Sequence, residues 1–466
     1  MKKFMKTQVG RFTAGLLALL IVIGAAVGAQ YIPFLTADVT PQKLMSMSGT
    51  GLEIAEGVDA EVTISYIATE TGRDLWVEEL AKKYAAANSL ISYEMVSPGS
   101  AAASRLAAKA GKAVSDKMLI IASGDRAAGF TAEDLYQTVY NQMYLQYYGQ
   151  YVMDAQYFIA DQQLANAILY VTRDDLPVIY ALNGHGEKTV GAYALDQLFM
   201  SNIVLKTLNL TDAVPEDAAA VMIYAPTADL SKEEAQALRV YLGNGGDLIL
   251  ASGYMMEEMP NLESVLSYYG MEPEYGVVLD TAAGYCYDPS YPQYLMPDAA
   301  DHPLTAVLAG AGVKPVMSLS AAMKRSMISR AGLTVTGLLT TSEQAYMKTS
   351  LAATSLEMEE GDPTGRFTVA MAAEEGETHV VWFGSGSFLN DADISVSGGY
   401  NIYLLGNTLS MITPITERVN IEGGDLMAGS LTVPAGQATV VIILMFVPAL
   451  LALLAGVIVK NSKKKK

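Results

Sequence analysis

The residue types best suited to chemistry stand together in one short segment, Gly184-His185-Gly186-Glu187. An imidazole and a carboxylate two residues apart can bind a metal ion or relay a proton. The flanking glycines allow the backbone to approach a ligand closely. Two side chains make an incomplete metal site, however, and no nearby Cys or His completes it. We therefore treat Gly184, His185, Gly186 and Glu187 as candidates for ligand binding or for coupling to a partner.

A structural interpretation of the same segment stays open, and residue chemistry alone favours it. In that interpretation the glycines form a tight turn, His185 bonds to backbone, and Glu187 complements the dipole of the next helix. If the loop instead serves recognition or coupling, replacing His185 by Ala together with Glu187 by Gln is expected to cost about 1 kcal/mol or less, unless His185 satisfies a buried partner. Valine at Gly184 or Gly186 is expected to do more damage if either residue has a positive φ.

Several catalytic signatures are absent from the chain. The run Gly186-Glu187-Lys188-Thr189 resembles the end of a phosphate-binding loop but lacks the earlier glycine, so the chain is not expected to hydrolyse nucleotide. The run Gly384-Ser385-Gly386-Ser387 does not match a G-x-S-x-G elbow and is predicted to be a turn. No H-E-x-x-H occurs. The sequence therefore predicts a protein without catalytic residues, bound metal or cofactor.

The segments around the candidate loop predict an α/β unit. A short apolar strand, Val178–Leu182, precedes the loop, and a helix is predicted over residues 190–200. A buried strand at 219–225, a helix that begins with a Ser231/Glu234 capping box, and a strand at 248–251 complete a βαβ pattern. The apolar strands indicate a sheet covered on both faces, with the loop and the following helix N-terminus at the carboxyl edge, where ligands and anions bind. Residues 366–372 and 379–383 predict a hairpin.

A first α/β unit is predicted upstream, from strands at 61–67, 90–96 and 117–122 and a helix at 74–87. Residues 131–172 are predicted to be helical, with a stripe of tyrosines on one face. This stripe either packs on the domain or forms a sugar- or partner-binding surface. It consists of Tyr136, Tyr140, Tyr144, Tyr147 and Tyr151. The expected fold is therefore at least two α/β units with mostly parallel sheets, over residues 38–175 and 176–410.

Both ends of the chain predict membrane spans. Uncharged apolar runs cover residues 12–35 and 436–459, each long enough to cross a bilayer. Basic residues lie outside both runs, which favours cytoplasmic termini and an extracytoplasmic ectodomain at the cell membrane. The predicted order is a cytoplasmic tail and span (1–37), the two units, a stalk (411–435), a span (436–459) and a basic tail (460–466). A cleavable signal peptide ending near Val27-Gly28-Ala29 is the alternative for the first run.

The net charge argues against nucleic-acid binding, and the cysteine content excludes an intramolecular disulfide. The chain has 30 Lys+Arg and 49 Asp+Glu, for a net charge of −19. Residues 1–37 and 426–466 hold nine of the basic residues and no acidic ones. The net charge of the ectodomain is therefore 21 − 49 = −28. Such a surface repels nucleic acid. Cys286 is the only cysteine, so it forms no intramolecular disulfide and is expected to be a packed small side chain.

Taken in order, several segments resemble the gliding-motility-type (GldG-like) auxiliary proteins of ABC transporters. The resemblance covers almost the whole chain and is most specific over residues 163–251. The matching segments are Asp38-Val39-Thr40, Gln163-Leu164-Ala165-Asn166-Ala167-Ile168, Tyr170-Val171-Thr172, the strand and loop 178–187, Val214-Pro215, Ile223-Tyr224-Ala225-Pro226, Asp229-Leu230-Ser231, Glu234, Tyr241-Leu242, Gly245-Gly246, Asn401 and Asn407. The resemblance implies a glutamine-amidotransferase-like second unit without known enzymatic activity, a separate ATPase and a multi-span permease.

The sequence as a whole predicts a membrane-anchored auxiliary subunit of an ABC-type transport system. Its ectodomain would bind substrate or a cell-surface partner, and another chain would supply the energy. Two alternatives from other classes remain. One is a surface hydrolase or metal-dependent enzyme that uses His185 and Glu187. The other is a passive wall- or glycan-binding scaffold that uses the tyrosine stripe.

Overall fold

The computed structural model describes residues 42, 44–140, 144, 150, 152–211, 213–254, 258–328, 330–350, 355–413 and 418–427. These residues divide into two compact units. The first contains the described residues up to 107, residues 114–171 and those from 420 onward. The second contains residues 108–113 and the described part of 172–419.

Helices and strands alternate through the first part of the chain. They are α1 (Gly49–Glu56), β1 (Val62–Ile67), α2 (Leu75–Ala87), β2 (Ile91–Val96), α3 (Ala101–Lys109), β3 (Met118–Ser123), β4 (Arg126–Phe130), β5 (Tyr136–Tyr140), β6 (Met153–Phe158) and α4 (Ala160–Thr172).

The remaining elements begin at residue 178. They are β7 (Val178–Leu182), α5 (Ala192–Met200), β8 (Val204–Leu208), β9 (Ala218–Tyr224), α6 (Lys232–Gly243), β10 (Leu248–Ala251), α7 (Pro260–Tyr268), β11 (Met271–Glu274), β12 (Val277–Leu279), β13 (Tyr294–Leu295), β14 (Asp298–Ala299), α8 (Ala306–Ala311), β15 (Met317–Ser318), β16 (Ala322–Arg325), β17 (Leu333–Thr340), β18 (Tyr346–Lys348), β19 (Thr368–Glu375), β20 (Thr378–Phe383), α9 (Asp391–Val396), α10 (Tyr400–Ile412) and β21 (Gly424–Asp425).

The first unit contains a four-stranded sheet in the order β2-β1-β3-β4. Strands β1 and β2 are parallel, as the intervening helix α2 requires, whereas β3 is antiparallel to both β1 and β4. The prediction of a mostly parallel sheet is therefore wrong for this unit. The cause is local: only Gly124 and Asp125 separate β3 from β4, and so short a connection can join only antiparallel strands.

The predicted tyrosine-rich helix over residues 131–172 is correct only from Ala160 onward. Residues 136–140 instead form β5, which pairs antiparallel with β6 and places Tyr136 opposite Phe158. The sequence Tyr-Gln-Thr-Val-Tyr is rich in β-branched and aromatic residues, which favour strands, and this preference outweighs the helical spacing of the tyrosines. Tyr136 and Tyr140 therefore lie on a strand, while Tyr147 and Tyr151 lie outside the described residues.

The second unit is built on a ten-stranded mixed sheet. Five strands in the order β20-β10-β9-β7-β8 are parallel, and β19, β16 and β11 continue the sheet in antiparallel pairing. Strand β17 also pairs antiparallel with β19, and β14 pairs with β17. The α/β class is confirmed, but the prediction of a mostly parallel sheet is again wrong. The predicted hairpin is confirmed as β19–β20, and it is this hairpin that reverses the strand direction.

The parallel strands β7, β9, β10 and β20 are largely buried on both faces, as their apolar sequences predict, whereas the edge strand β8 exposes Lys206 and Thr207. Ile249 and Leu250 are neighbours on β10 and point to opposite faces, yet both are essentially inaccessible to solvent. On one face Ile249 belongs to a core with Leu198 of α5 and Leu405 of α10. Cys286 is likewise buried, with Sγ 3.9 Å from the Ala282 carbonyl oxygen, which confirms that it packs as a small side chain.

Within the part of the chain that the structure describes, no helix is both long enough and apolar enough to span a bilayer. The predicted spans at 12–35 and 436–459 and their basic tails lie outside the described residues. The predicted stalk at 411–435 is described only at residues 411–413 and 418–427.

Candidate functional site

The Gly184–Glu187 loop lies where the strand order of the parallel sheet reverses. The chain passes from β7 outward to β8 and then returns to the other side of β7 as β9, so the connections after β7 and β9 diverge at the carboxyl edge. Ligands of open α/β sheets bind at such a point. Backbone hydrogen bonds hold both ends of the loop. The Asn183 N–H donates to the Leu208 carbonyl at 2.9 Å, and the Lys188 N–H donates to the Tyr224 carbonyl at 2.9 Å.

Both loop glycines have backbone angles that other residues rarely adopt. Gly184 has φ 129° and Gly186 has φ 75°. The two glycines differ in how closely other atoms approach them. A Cβ at Gly184 would meet no atom within 4 Å, whereas a Cβ at Gly186 would lie 2.0 Å from Thr227 Oγ1. Gly186 is therefore required by close packing as well as by its backbone conformation.

The His185 side chain lies between two carboxylates. Its Nδ1 is 3.0 Å from Glu187 Oε1, and its Nε2 is 3.1 Å from Glu234 Oε2. Both contacts are hydrogen bonds when both ring nitrogens carry a proton. The imidazole is only 9% exposed and the Glu187 side chain 4%. Both His185 ring nitrogens are thus occupied by partners from the protein itself.

Backbone groups complete the hydrogen bonding of the loop. Glu187 Oε2 accepts from the N–H groups of Gly184 at 3.1 Å and His185 at 2.7 Å. The His185 carbonyl accepts from the N–H groups of Thr227 at 2.8 Å and Ala228 at 3.0 Å. These bonds close the loop on itself and attach it to the connection between β9 and α6. Glu187 therefore binds backbone N–H groups of its own turn, where the structural interpretation expected it to face the next helix. The His185 ring contacts two carboxylates, where that interpretation expected backbone.

Glu234 has two functions in this arrangement. It completes the predicted capping box, since its Oε2 accepts from the Ser231 N–H at 2.8 Å and its own N–H donates to Ser231 Oγ at 3.1 Å. The same Oε2 faces His185 Nε2. Burial works against ionisation, but the hydrogen bonds from Ser231 and His185 outweigh it and lower the pKa of the Glu234 carboxyl. The capping motif was visible in the sequence; the contact with His185 was not.

Carboxylates of the protein occupy the N-termini of α5 and α7. Asp391 Oδ1 accepts from the Tyr193 N–H in the first turn of α5, at 3.1 Å. Asp229 accepts from the N–H groups of Asn261 and Leu262 in the first turn of α7, each at 3.0 Å. The predicted anion position at the start of α5 is thus taken by Asp391. Among the described residues, no group of three or more His, Cys, Asp or Glu side chains is arranged to hold a metal ion.

Two cavities flank the loop, and Lys188 lines both. One has a volume of about 250 Å³ and includes Glu187, Leu195 and Tyr224 in its walls. The other, of about 470 Å³, lies at the carboxyl ends of β9, β10 and β20. Ala225 lines this second cavity and has φ 52°. The sequence analysis did not predict this positive value. The position of Ala225 at the end of a strand was the only available signal, since alanine does not indicate a positive φ.

A comparison with protein families gives a match within the second unit. A family model described as "ABC-type uncharacterized transport system" matches residues 176–381, which lie in the second unit and include the Gly184–Glu187 loop. This match confirms the resemblance to an ABC-transporter auxiliary family over that segment. The family indicates an auxiliary component of an ABC-type transport system. The narrower gliding-motility-type assignment stays a prediction. A comparison with curated proteins found no match.

The following solved structures are distantly similar to this chain. The mmIFT52 N-terminal domain is 16% identical, with a TM-score of 0.39, covering 52% of this chain and 99% of that one. A putative ThuA-like protein from Parabacteroides merdae is 10% identical, with a TM-score of 0.30, covering 52% and 92%. The cytoplasmic protein STM1381 from Salmonella typhimurium is 13% identical, with a TM-score of 0.31, covering 50% and 98%. Similarity at this level supports no inference about function.

Proposed function

We propose that this protein is a membrane-anchored, non-ATPase subunit of an ABC-type transport system, partnered by a permease and a separate ATPase. The family match over residues 176–381 is the observation on which the proposal rests. The apolar runs at 12–35 and 436–459 supply the anchors, and the lack of a complete phosphate-binding loop requires another chain to hydrolyse ATP. The acidic ectodomain lies outside the cytoplasm and binds the transported substrate or a surface partner.

The site geometry supports a binding or coupling role over catalysis. His185 has a carboxylate on each ring nitrogen, which leaves neither nitrogen available to a substrate. Ala225 follows β9 directly with a positive φ, but its side chain is a methyl group, so this position presents no nucleophile. The scaffold alternative depended on a helical tyrosine stripe, and strand β5 removes Tyr136 and Tyr140 from such a helix.

Site-directed labelling tests the proposed topology. In a background with Cys286 replaced by Ser, Val240→Cys is expected to react with an impermeant thiol reagent on intact cells, because Val240 is 52% exposed on α6. Lys464→Cys is expected to react only after the cells are permeabilised, since basic flanks favour the cytoplasm. Labelling of both positions on intact cells, or of the tail alone, would contradict the arrangement.

A further inference from the structure

The 470 Å³ cavity has the size and position of a small-molecule site. It lies at the carboxyl ends of three adjacent parallel strands, β9, β10 and β20, the edge at which open α/β sheets bind ligands. Its volume falls within the usual range for ligand pockets. The wall includes Tyr254 and Leu319, which are 48% and 42% exposed, so an apolar or ring-shaped part of a ligand would have surface to contact.

The backbone around this cavity is held in unusual conformations. Ala225 has φ 52°, Leu319 has φ 47° and Gly253 has φ 76°. All three line the cavity, and the first two are non-glycine residues, for which a positive φ is unfavourable. Such residues concentrate at binding and catalytic sites, where the surrounding structure maintains the strain.

Two backbone N–H groups beside the cavity have no partner in the described part of the chain. They belong to Gly253 and Gly386, and Gly386 is buried. A buried N–H without an acceptor is rare in folded proteins. A Cβ on Gly386 would lie 3.2 Å from the Gly253 nitrogen, and a Cβ on Gly253 would lie 3.5 Å from the Gly386 nitrogen. Both nitrogens therefore border the space left by the missing side chains.

Lys188 brings positive charge to the same wall. Its backbone is fixed by the hydrogen bond to Tyr224, while its exposed ammonium forms no ion pair with any described residue. Lys206, by comparison, pairs with Asp217 at 3.3 Å. Of the carboxylates in the wall, Asp229 is occupied by donors from α7, and Glu258 is exposed and free to accept hydrogen bonds from hydroxyl groups.

From these features we infer that the cavity binds a small hydroxylated acid, with an oxyanion at Lys188 and the amides of Gly253 and Gly386, and hydroxyls towards Glu258. A sugar acid and a sugar phosphate both have this chemistry. The inference deepens the proposed binding role of the ectodomain, but the binding itself needs neither a membrane nor a transporter partner.

Calorimetry on the full-length chain in mild detergent tests the inference, with D-glucuronate and glucose 6-phosphate as probes and glucose as the uncharged control. At least one acid should bind saturably and at least tenfold more tightly than glucose. The acid that binds more tightly shows whether the cavity prefers a carboxylate or a phosphate. Lys188→Met should weaken binding at least tenfold, whereas Lys324→Met, at an exposed lysine on β16 outside the cavity, should not. Gly386→Ala should also weaken binding, because its Cβ would lie 3.2 Å from the Gly253 nitrogen and obstruct an anion at that amide.

The absence of saturable binding by either acid would overturn the inference, as would equal affinities for Lys188→Met and Lys324→Met. Lys188→Met removes an exposed charge and no buried group, so thermal unfolding should match the unmodified chain and exclude misfolding as the cause. If neither acid binds but the chain still co-purifies with an ATPase and a permease, only the ligand site is rejected. Binding without those partners would reject only the transport role.

Discussion

Replacing His185 by alanine is expected to lower the free energy of unfolding by about 2–4 kcal/mol, because it leaves two carboxylates without the imidazole that both of them contact. The Glu187 side chain is 4% exposed and the Glu234 side chain 19%, so water can replace the imidazole only in part. For His185→Ala combined with Glu187→Gln, the sequence alone predicted a cost of about 1 kcal/mol or less unless His185 satisfied a buried partner, and the structure supplies that partner. Urea unfolding monitored by circular dichroism measures the change.

His302 offers a matched control for this variant. Its side chain is also 9% exposed and its Nε2 is 3.0 Å from Glu374 Oε1, but the Glu374 side chain is 40% exposed. His302→Ala should therefore cost about 1–2 kcal/mol, because water can solvate Glu374 but the buried Leu304 N–H loses its acceptor, His302 Nδ1, at 3.2 Å. Adding Glu187→Gln to His185→Ala should recover part of the loss by removing a buried charge. Equal, small losses at both histidines would show that the contacts of His185 add little to stability.

Replacing Gly186 by alanine is expected to destabilise the second unit by about 3 kcal/mol, from a positive φ and a steric clash together. The new Cβ would lie 2.0 Å from Thr227 Oγ1 and 3.3 Å from Thr227 Cβ. Gly184→Ala is the matched control, because its φ is 129° but its Cβ would meet nothing within 4 Å. It should cost about 1–2 kcal/mol from backbone strain alone.

Removing Thr227 Oγ1 should separate the cost of the steric clash at Gly186 from the cost of its positive φ. In the Gly186→Ala background, Thr227→Ala deletes the Oγ1 atom and should restore part of the lost stability in the same unfolding measurement. It also deletes a 3.3 Å hydrogen bond to the His185 carbonyl, so recovery should be incomplete. If Gly186→Ala and Gly184→Ala proved equally costly, the close approach of Gly186 to Thr227 would have no energetic weight.

Local sequence patterns predicted those parts of the fold that neighbouring residues determine. The capping box at Ser231 and Glu234, the β19–β20 hairpin and the strand before the candidate loop follow from short-range spacing, and all are present. The strand β5 was not predicted from local spacing, because tyrosines spaced for a helical face were interspersed with residues that favour a strand. Periodicity alone cannot decide between the two; the pairing of Tyr136 with Phe158 does.

The site itself was predictable in position but not in its contacts. A loop after an apolar strand of an α/β unit belongs at the carboxyl edge of the sheet, and Gly184–Glu187 lies there. The contact between His185 and Glu234 joins residues 49 apart, and it exists only because β7 and β9 become neighbours in the sheet. The positive φ of Ala225 had no signal in its residue type.

The central claim is that this chain works as an auxiliary component of an ABC-type transport system, and co-purification tests it most directly. The tagged full-length chain would be isolated from native membranes in mild detergent and its bound proteins identified by mass spectrometry. An unrelated tagged membrane protein at matched abundance is the control. The proposal predicts specific enrichment of one ATPase with a complete phosphate-binding loop and one multi-span permease. Recovery of the folded chain with neither protein enriched would contradict it.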